Sequence, residues 1–76
     1  MSFEIKVKQI LENFEEIPSK EILEILNQIQ NQLQSQITQD YLKGKLKTIS
    51  DTIDEKEKKK QCKNLKPYFD WYLQGL

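Results

Sequence analysis

The sequence predicts an all-α fold, a small antiparallel bundle of three to four short helices that forms one domain over residues 1–76. Apolar residues recur at intervals of three and four along most of the chain, which is the spacing of one face of a helix. With 37% hydrophobic residues and a formal net charge of zero, the chain is too apolar and too neutral to be typical of disorder. We therefore expect a globular protein.

The first predicted helix spans about residues 3–17. Ser2 is placed to cap its N-terminus, and Glu4 lies in the first turn, where the helix dipole favours an acid. Pro18 should end the helix, because the residue before a proline avoids helical geometry. The apolar positions that define this helix are Phe3, Val7, Ile10, Leu11, Phe14 and Ile17.

The second predicted helix spans about residues 20–35, with Ser19 as its cap. Its apolar seam is Ile22, Leu26, Ile29 and Leu33, flanked by Ile25 and Ile37. The outward face is unusual, since no charged residue occurs from Ile25 to Gln39. Two interpretations are open: a face solvated by Gln and Asn, or a neutral surface that could contact a second copy or a partner without desolvating charges.

The third predicted helix spans about residues 39–53, with Thr38 as its cap and Gly44 as a weak point inside it. Its seam is Leu42, Leu46, Ile49 and Ile53. The same face becomes charged after Ile53, so a separate lysine-rich segment follows over residues 54–66. Asp54 and Glu57 form a capping-box pattern that would open a helix through it, although a flexible spacer is the alternative.

The last predicted helix is aromatic and spans about residues 67–75, with Pro67 at its first position. One apolar stripe joins it to the preceding segment: Cys62, Leu65, Phe69, Tyr72 and Leu76, with Tyr68 and Leu73 at its edges. Trp71 falls outside the stripe. We expect this helix to close the bundle or to form a dimer seam, and Trp71 to need cover from another element or another molecule.

Composition excludes most catalytic chemistry. The chain has no histidine and a single cysteine, Cys62, so neither a disulfide framework nor a multi-cysteine zinc site can form within one chain. Adjacent carboxylates such as Glu15 and Glu16 point about 100° apart on a helix and do not converge on one substrate atom. We expect no enzyme activity, no cofactor and no metal site.

The location predicted from the sequence is cytoplasmic. Acidic residues, among them Glu4 and Glu12, interrupt the N-terminal apolar positions and break the pattern of a signal peptide. No stretch approaches the roughly 18 uncharged apolar residues of a membrane span, so we expect no membrane association.

The function expected from these patterns is non-catalytic protein binding, by a small adaptor, assembly factor or inhibitor. The aromatic residues cluster near the end of the chain, and tryptophan and tyrosine are enriched at binding hot spots. The predicted contact residues are Trp71, Tyr68 and Tyr72, rimmed by Lys63 and Lys66. The expected partner is another protein. Because lysines concentrate in the second half of the chain, an acidic protein would suit it, and a homodimer is also expected.

Two alternatives accompany this prediction. The first is a regulator that binds nucleic acid through a basic patch beside aromatic rings. The lysines of that patch are Lys56, Lys58, Lys59 and Lys60. A net charge of zero and the absence of arginine count against it. The second alternative is a structural helical subunit that assembles only with itself.

Overall fold

The computed structural model describes residues 2–75, and every regular element in that range is helical. The all-α class predicted from the sequence is therefore confirmed. Leu76, which the sequence assigned to the last apolar stripe, lies outside the described residues. The elements are α1 (Phe3–Glu12), a short 3-10 turn (Phe14–Glu16), α2 (Ser19–Gln32), α3 (Gln36–Asp51), α4 (Glu55–Lys63) and α5 (Lys66–Leu73).

Three helices begin at polar side chains that accept a backbone N–H. Ser2 Oγ accepts from Ile5 N at 3.3 Å and caps α1, as predicted. Asp54 Oδ2 accepts from Glu57 N at 3.1 Å, so the lysine-rich segment does open as a helix. The predicted cap at Thr38 is wrong. Helix α3 begins earlier, because Ser35 is already extended and its Oγ accepts from the N–H of Thr38 at 3.4 Å.

The connection between α1 and α2 is longer than predicted. Helix α1 ends at Glu12 rather than near residue 17, because Asn13 leaves helical geometry at φ −122° and ψ 34°. The 3-10 turn that follows directs Phe14 into the core. Ser19 is not a cap either. Pro18 occupies the N-cap position, and Ser19 is the first helical residue and is buried.

Helix α2 contacts α3, α4 and α5, while α1 packs against α5. Apolar burial therefore joins all five helices around one core, which gives a Cα radius of gyration of 11.7 Å. Phe69 of α5 and Cys62 of α4 are completely buried in it. The other buried apolar residues are Val7, Ile10, Phe14, Ile22, Ile25, Leu26, Ile29, Leu33, Leu42, Leu46, Ile49 and Leu65.

Two isoleucines that the sequence placed on or beside buried seams lie in solvent. Ile53 is 97% exposed because α3 ends at Asp51, which leaves Ile53 in the connection to α4. Ile37 is 83% exposed because it belongs to the first turn of α3. The break after Leu33 changes the direction of the chain, so Ile37 does not continue the buried face of α2.

Candidate protein-binding surface

Three residues of α5, Pro67, Tyr68 and Trp71, line one open depression of about 390 Å³, which we call the aromatic surface. The ring centroids of Tyr68 and Trp71 are 6.1 Å apart, and the ring planes are inclined at 44°. Helical spacing explains the grouping, since residues three and four positions apart share a face. Trp71 is 44% exposed, whereas Phe69 on the same helix is completely buried. The expected separation of Trp71 from the buried stripe is therefore what the structure shows.

Helix α3 contributes an exposed tyrosine that the sequence reasoning missed, and it lines a separate groove together with Lys45 and Leu65. Tyr41 is 57% exposed. Burial raises the pKa of Tyr68, and the charge of Tyr41 raises that pKa further. Lys45 Nζ lies 5.4 Å from the centroid of the Tyr41 ring. The sequence did carry one indication of the position of Tyr41. Tyr41 immediately precedes Leu42, which is buried, so the Tyr41 ring lies next to the core face of α3.

Tyr72, which the sequence grouped with Trp71 and Tyr68, lies on a different side of α5. It is half-buried, and its ring packs edge-on against Phe3 of α1, with centroids 4.9 Å apart and an interplanar angle of 86°. One residue along a helix rotates a side chain by about 100°, so consecutive residues such as Trp71 and Tyr72 cannot share a face. Tyr72 therefore joins the two ends of the described chain.

The two lysines predicted to rim the site also point elsewhere. Lys66 Nζ lies 4.8 Å from the centroid of the Phe14 ring, a cation–π arrangement that directs this side chain toward the α1–α2 connection. Lys63 Nζ is 4.0 Å from a carboxylate oxygen of Glu15, with both side chains largely exposed. The predicted site is thus divided. Trp71 and Tyr68 lie together, whereas Lys63 and Lys66 face the α1–α2 connection.

Helix α4 holds the α1–α2 connection through two side chains, an arrangement that we call the junction clamp. Glu55 Oε2 accepts from the backbone N–H of Ser19 at 3.0 Å, and Glu55 Oε1 accepts from its hydroxyl at 2.6 Å. Lys59 Nζ donates to the carbonyl oxygens of Phe14 and Ile17. Lys59 Nζ also lies 4.8 Å from the centroid of the Phe14 ring.

The clamp supplies what the local sequence lacks. A helix N-terminus needs acceptors for its first N–H groups, and Pro18 at the N-cap offers no side-chain acceptor. The carboxylate of Glu55, 36 residues away, serves instead. The hydrogen bond from the Ser19 hydroxyl, followed by that from its backbone N–H, lowers the pKa of Glu55. The ionised form of Glu55 is therefore the one that caps α2.

The four lysines proposed from the sequence for nucleic-acid contact do not present one basic face. Lys59 is engaged in the clamp, Lys58 is half-buried, and Lys56 and Lys60 are exposed. The cavity beside them, of about 440 Å³, mixes charges of both signs. Its lining is Phe14, Glu15, Asp54, Lys56, Glu57, Lys59, Lys60 and Lys63. Three carboxylates among these lysines reduce the attraction of the cavity for phosphate groups.

Cys62 lies in the core, as its place on the apolar stripe suggested. It is completely buried, and burial raises the pKa of its thiol to about 11. Since the thiolate is the reactive form, this environment keeps Cys62 unreactive near neutral pH. Within residues 2–75 no cluster of three or more potential metal-ligating side chains occurs. In the same range, no helix has the length and apolar character needed to cross a membrane.

Comparisons with protein-family models, with curated proteins and with solved structures find no significant match to this chain.

Proposed function

We propose that the chain is a non-catalytic protein-binding module, a small adaptor, assembly factor or inhibitor, whose contact centre is the aromatic surface. The observation that carries the proposal is the exposure of Trp71 beside Pro67 and Tyr68, on a helix whose Phe69 is completely buried. Tryptophan and tyrosine supply much of the binding energy at protein interfaces, and they do so from small, well-ordered patches.

The setting of these rings favours binding. Helix α5 is held by the buried Phe69, and Tyr72 is held against Phe3, so the exposed rings stand on an anchored element. Rings that are already ordered lose little conformational freedom when a partner binds. The Tyr68 hydroxyl and the Trp71 indole N–H can each hydrogen-bond to a partner while the rings contact apolar side chains.

The proposal extends to the arrangement of the helices, an antiparallel bundle that α5 closes. Its support is that α5 contacts both α1 and α2, and that α2 and α3 are in contact although only residues 33–35 connect them. A connection this short favours antiparallel neighbours. In this arrangement the buried side of α5 completes the core, and its opposite side carries the aromatic surface.

The charge near the aromatic surface supports an acidic partner. Lys45, over the Tyr41 ring, also lines a groove of about 340 Å³ between α3 and the α4–α5 region. Among the described residues, no acidic side chain lines this groove or the depression at Trp71. A carboxylate on the partner would therefore meet Lys45 without like-charge repulsion from the lining.

A pull-down from host lysate tests the proposal. We expect Trp71→Ala and Tyr68→Ala to lose the retained partner, with helical content unchanged by circular dichroism. The matched control is Ile5→Ala, because Ile5 is 45% exposed, close to the 44% of Trp71, but belongs to α1. Ile5→Ala should keep the partner. Unchanged capture by Trp71→Ala would count decisively against the aromatic surface.

Nucleic-acid binding has less support, because Lys59 is engaged internally and carboxylates lie among the other lysines. A titration with single- and double-stranded DNA at two salt concentrations distinguishes the two functions. Binding that weakens steeply with salt, and that Lys56→Gln with Lys60→Gln abolishes, would favour the nucleic-acid function. The absence of binding at low salt would remove it.

A further inference from the structure

Helix α3 carries an exposed row of uncharged residues in addition to its buried face. The row consists of Ile37, Tyr41, Gly44 and Thr48, at steps of four, three and four. Ile37 is 83% exposed and Tyr41 is 57% exposed, and the remaining two residues are also exposed. This spacing is the one by which a helix packs along another helix. We call these four residues the α3 row.

The fold of a single chain does not explain the glycine in this row. Gly44 lies inside α3, and of the two glycines only Gly75 has a positive φ. A Cβ atom added at Gly44 would meet nothing within 4 Å. Neither backbone geometry nor packing within the chain therefore requires a glycine at this position, although glycine weakens a helix. Its missing side chain leaves room for something outside the chain.

We propose that a second copy of the chain covers the α3 row, with the two α3 helices antiparallel about a twofold axis that passes between residues 42 and 43. Ile37 then lies opposite Thr48 of the second copy. Tyr41 lies opposite Gly44 of the second copy, and each pair occurs twice by symmetry. In both pairs a large side chain faces a smaller residue, which is how helices pack closely.

The charges beside the row fit the same pairing. Asp40 and Lys47 are seven residues apart, so they project from the same flank of α3. When two copies of a helix pack antiparallel about a twofold axis, this flank of one copy faces the same flank of the other. In this register Asp40 faces position 45 of the second copy, two residues away from Lys47. Asp40 and the Lys47 of the second copy are therefore offset by only about 3 Å along the helix axis. Self-complementarity in shape and charge is the reason to choose a second copy rather than an unrelated helix.

The first test is sedimentation equilibrium over a dilution series. We expect a reversible dimer, and Gly44→Gln should raise its dissociation constant roughly tenfold or more, because the added side chain collides with Tyr41 of the second copy. The matched control is Ser50→Gln, an exposed position of α3 outside the row, which should leave the constant unchanged. A chain that stays monomeric at the highest attainable concentration, or a dimer indifferent to Gly44→Gln, would overturn the proposal.

A second test fixes orientation and register. Asp40→Lys or Lys47→Asp alone should weaken the dimer, and the two together should restore it. In addition, the double variant Ile37→Cys with Thr48→Cys should oxidise to a covalent dimer. These positions are about 16 Å apart on one helix, so a disulfide within the chain is excluded. Thr48→Cys alone should not crosslink. Crosslinking by the single variant, or no rescue by the double charge reversal, would refute the antiparallel pairing.

The α3 row and the groove proposed for the acidic partner share Tyr41, but the dimer is measured on the purified chain without a partner, so its outcomes can be told apart from those of the pull-down. A wild-type chain that stays monomeric but still captures its partner would remove the α3 pairing alone. Loss of partner capture in Trp71→Ala with an unchanged dimer would leave both proposals standing.

Discussion

Replacing the central aromatic residue of α5 should remove much of the stability of the fold. Phe69 is completely buried among residues of several helices. Truncating a buried phenylalanine to alanine costs about 3–5 kcal/mol, from lost transfer free energy and the cavity that remains. At about 0.05–0.15 kcal/mol per residue, a chain of 76 residues has a free energy of unfolding of about 4–11 kcal/mol. Phe69→Ala should therefore remove between about a quarter and all of it.

Urea denaturation followed by far-UV circular dichroism measures this loss. The midpoint should fall while the slope stays constant if the folded state keeps its structure. In thermal unfolding, a loss of this size corresponds to a decrease in Tm of roughly 12–40 °C for a domain of this length. Phe69→Leu gives a milder comparison, because it leaves a smaller cavity and should cost clearly less than Phe69→Ala.

The control is Trp71→Ala on the same helix, which changes a larger side chain that is already 44% exposed. We expect it to cost clearly less than Phe69→Ala. Equal losses for the two variants, or a loss below about 1 kcal/mol for Phe69→Ala, would refute the reasoning that one side of α5 is core and the other is surface.

Three further predictions concern the clamp and the core. The pKa of Glu55 is lower in the folded protein than its ordinary value of 4.5. Glu55 therefore stabilises the fold fully above pH 4.5, and this contribution is lost as the pH falls through the folded pKa. Glu55→Gln should flatten the acid limb of a plot of stability against pH. Lys59→Met should cost about 1–3 kcal/mol in urea denaturation, because it leaves the Ile17 carbonyl without its lysine donor and the Phe14 carbonyl with only the backbone N–H of Ile17. Lys56→Met should change stability by less than about 0.5 kcal/mol, and equal effects of the two variants would argue against the clamp. Burial raises the pKa of the Cys62 thiol to about 11, so Cys62 should react with a thiol reagent at pH 8 only as fast as the protein opens. Urea should accelerate the reaction. Rapid labelling of the folded protein would contradict the burial of Cys62.

The fold class could be predicted from the sequence because helix periodicity is a local property. The steps of three and four at Ile22, Leu26 and Ile29 identify a buried face without any knowledge of its partner. The ends of the helices were harder to predict. Ser19 resembles a cap in sequence, but the acceptor for its N–H is Glu55, which sequence distance conceals. Ile53 fitted the period of α3 but lies beyond its end.

The candidate site could be predicted only in part, for a related reason. The exposure of Trp71 follows from its angular position on one helix, and local spacing was enough to identify it. The separation of Tyr72 from Trp71 depends on Phe3, at the other end of the chain. Likewise, Lys59 resembles a free surface charge until the fold brings it to the carbonyls of residues 14 and 17. Contacts between distant segments leave no periodic signal.

The junction clamp has a consequence for how the chain is made on the ribosome. It joins residues separated by 36 to 45 positions, and α1 packs against α5, which is synthesised well after it. Translation proceeds from the N-terminus, so a nascent chain that ends before α4 can form neither the cap on α2 nor the packing of α1. Helix α1 must then wait until α5 has been synthesised. Nascent chains arrested before residue 55 should therefore leave α1 and the α1–α2 connection sensitive to proteolysis, and both should become protected only after α5 has left the ribosome.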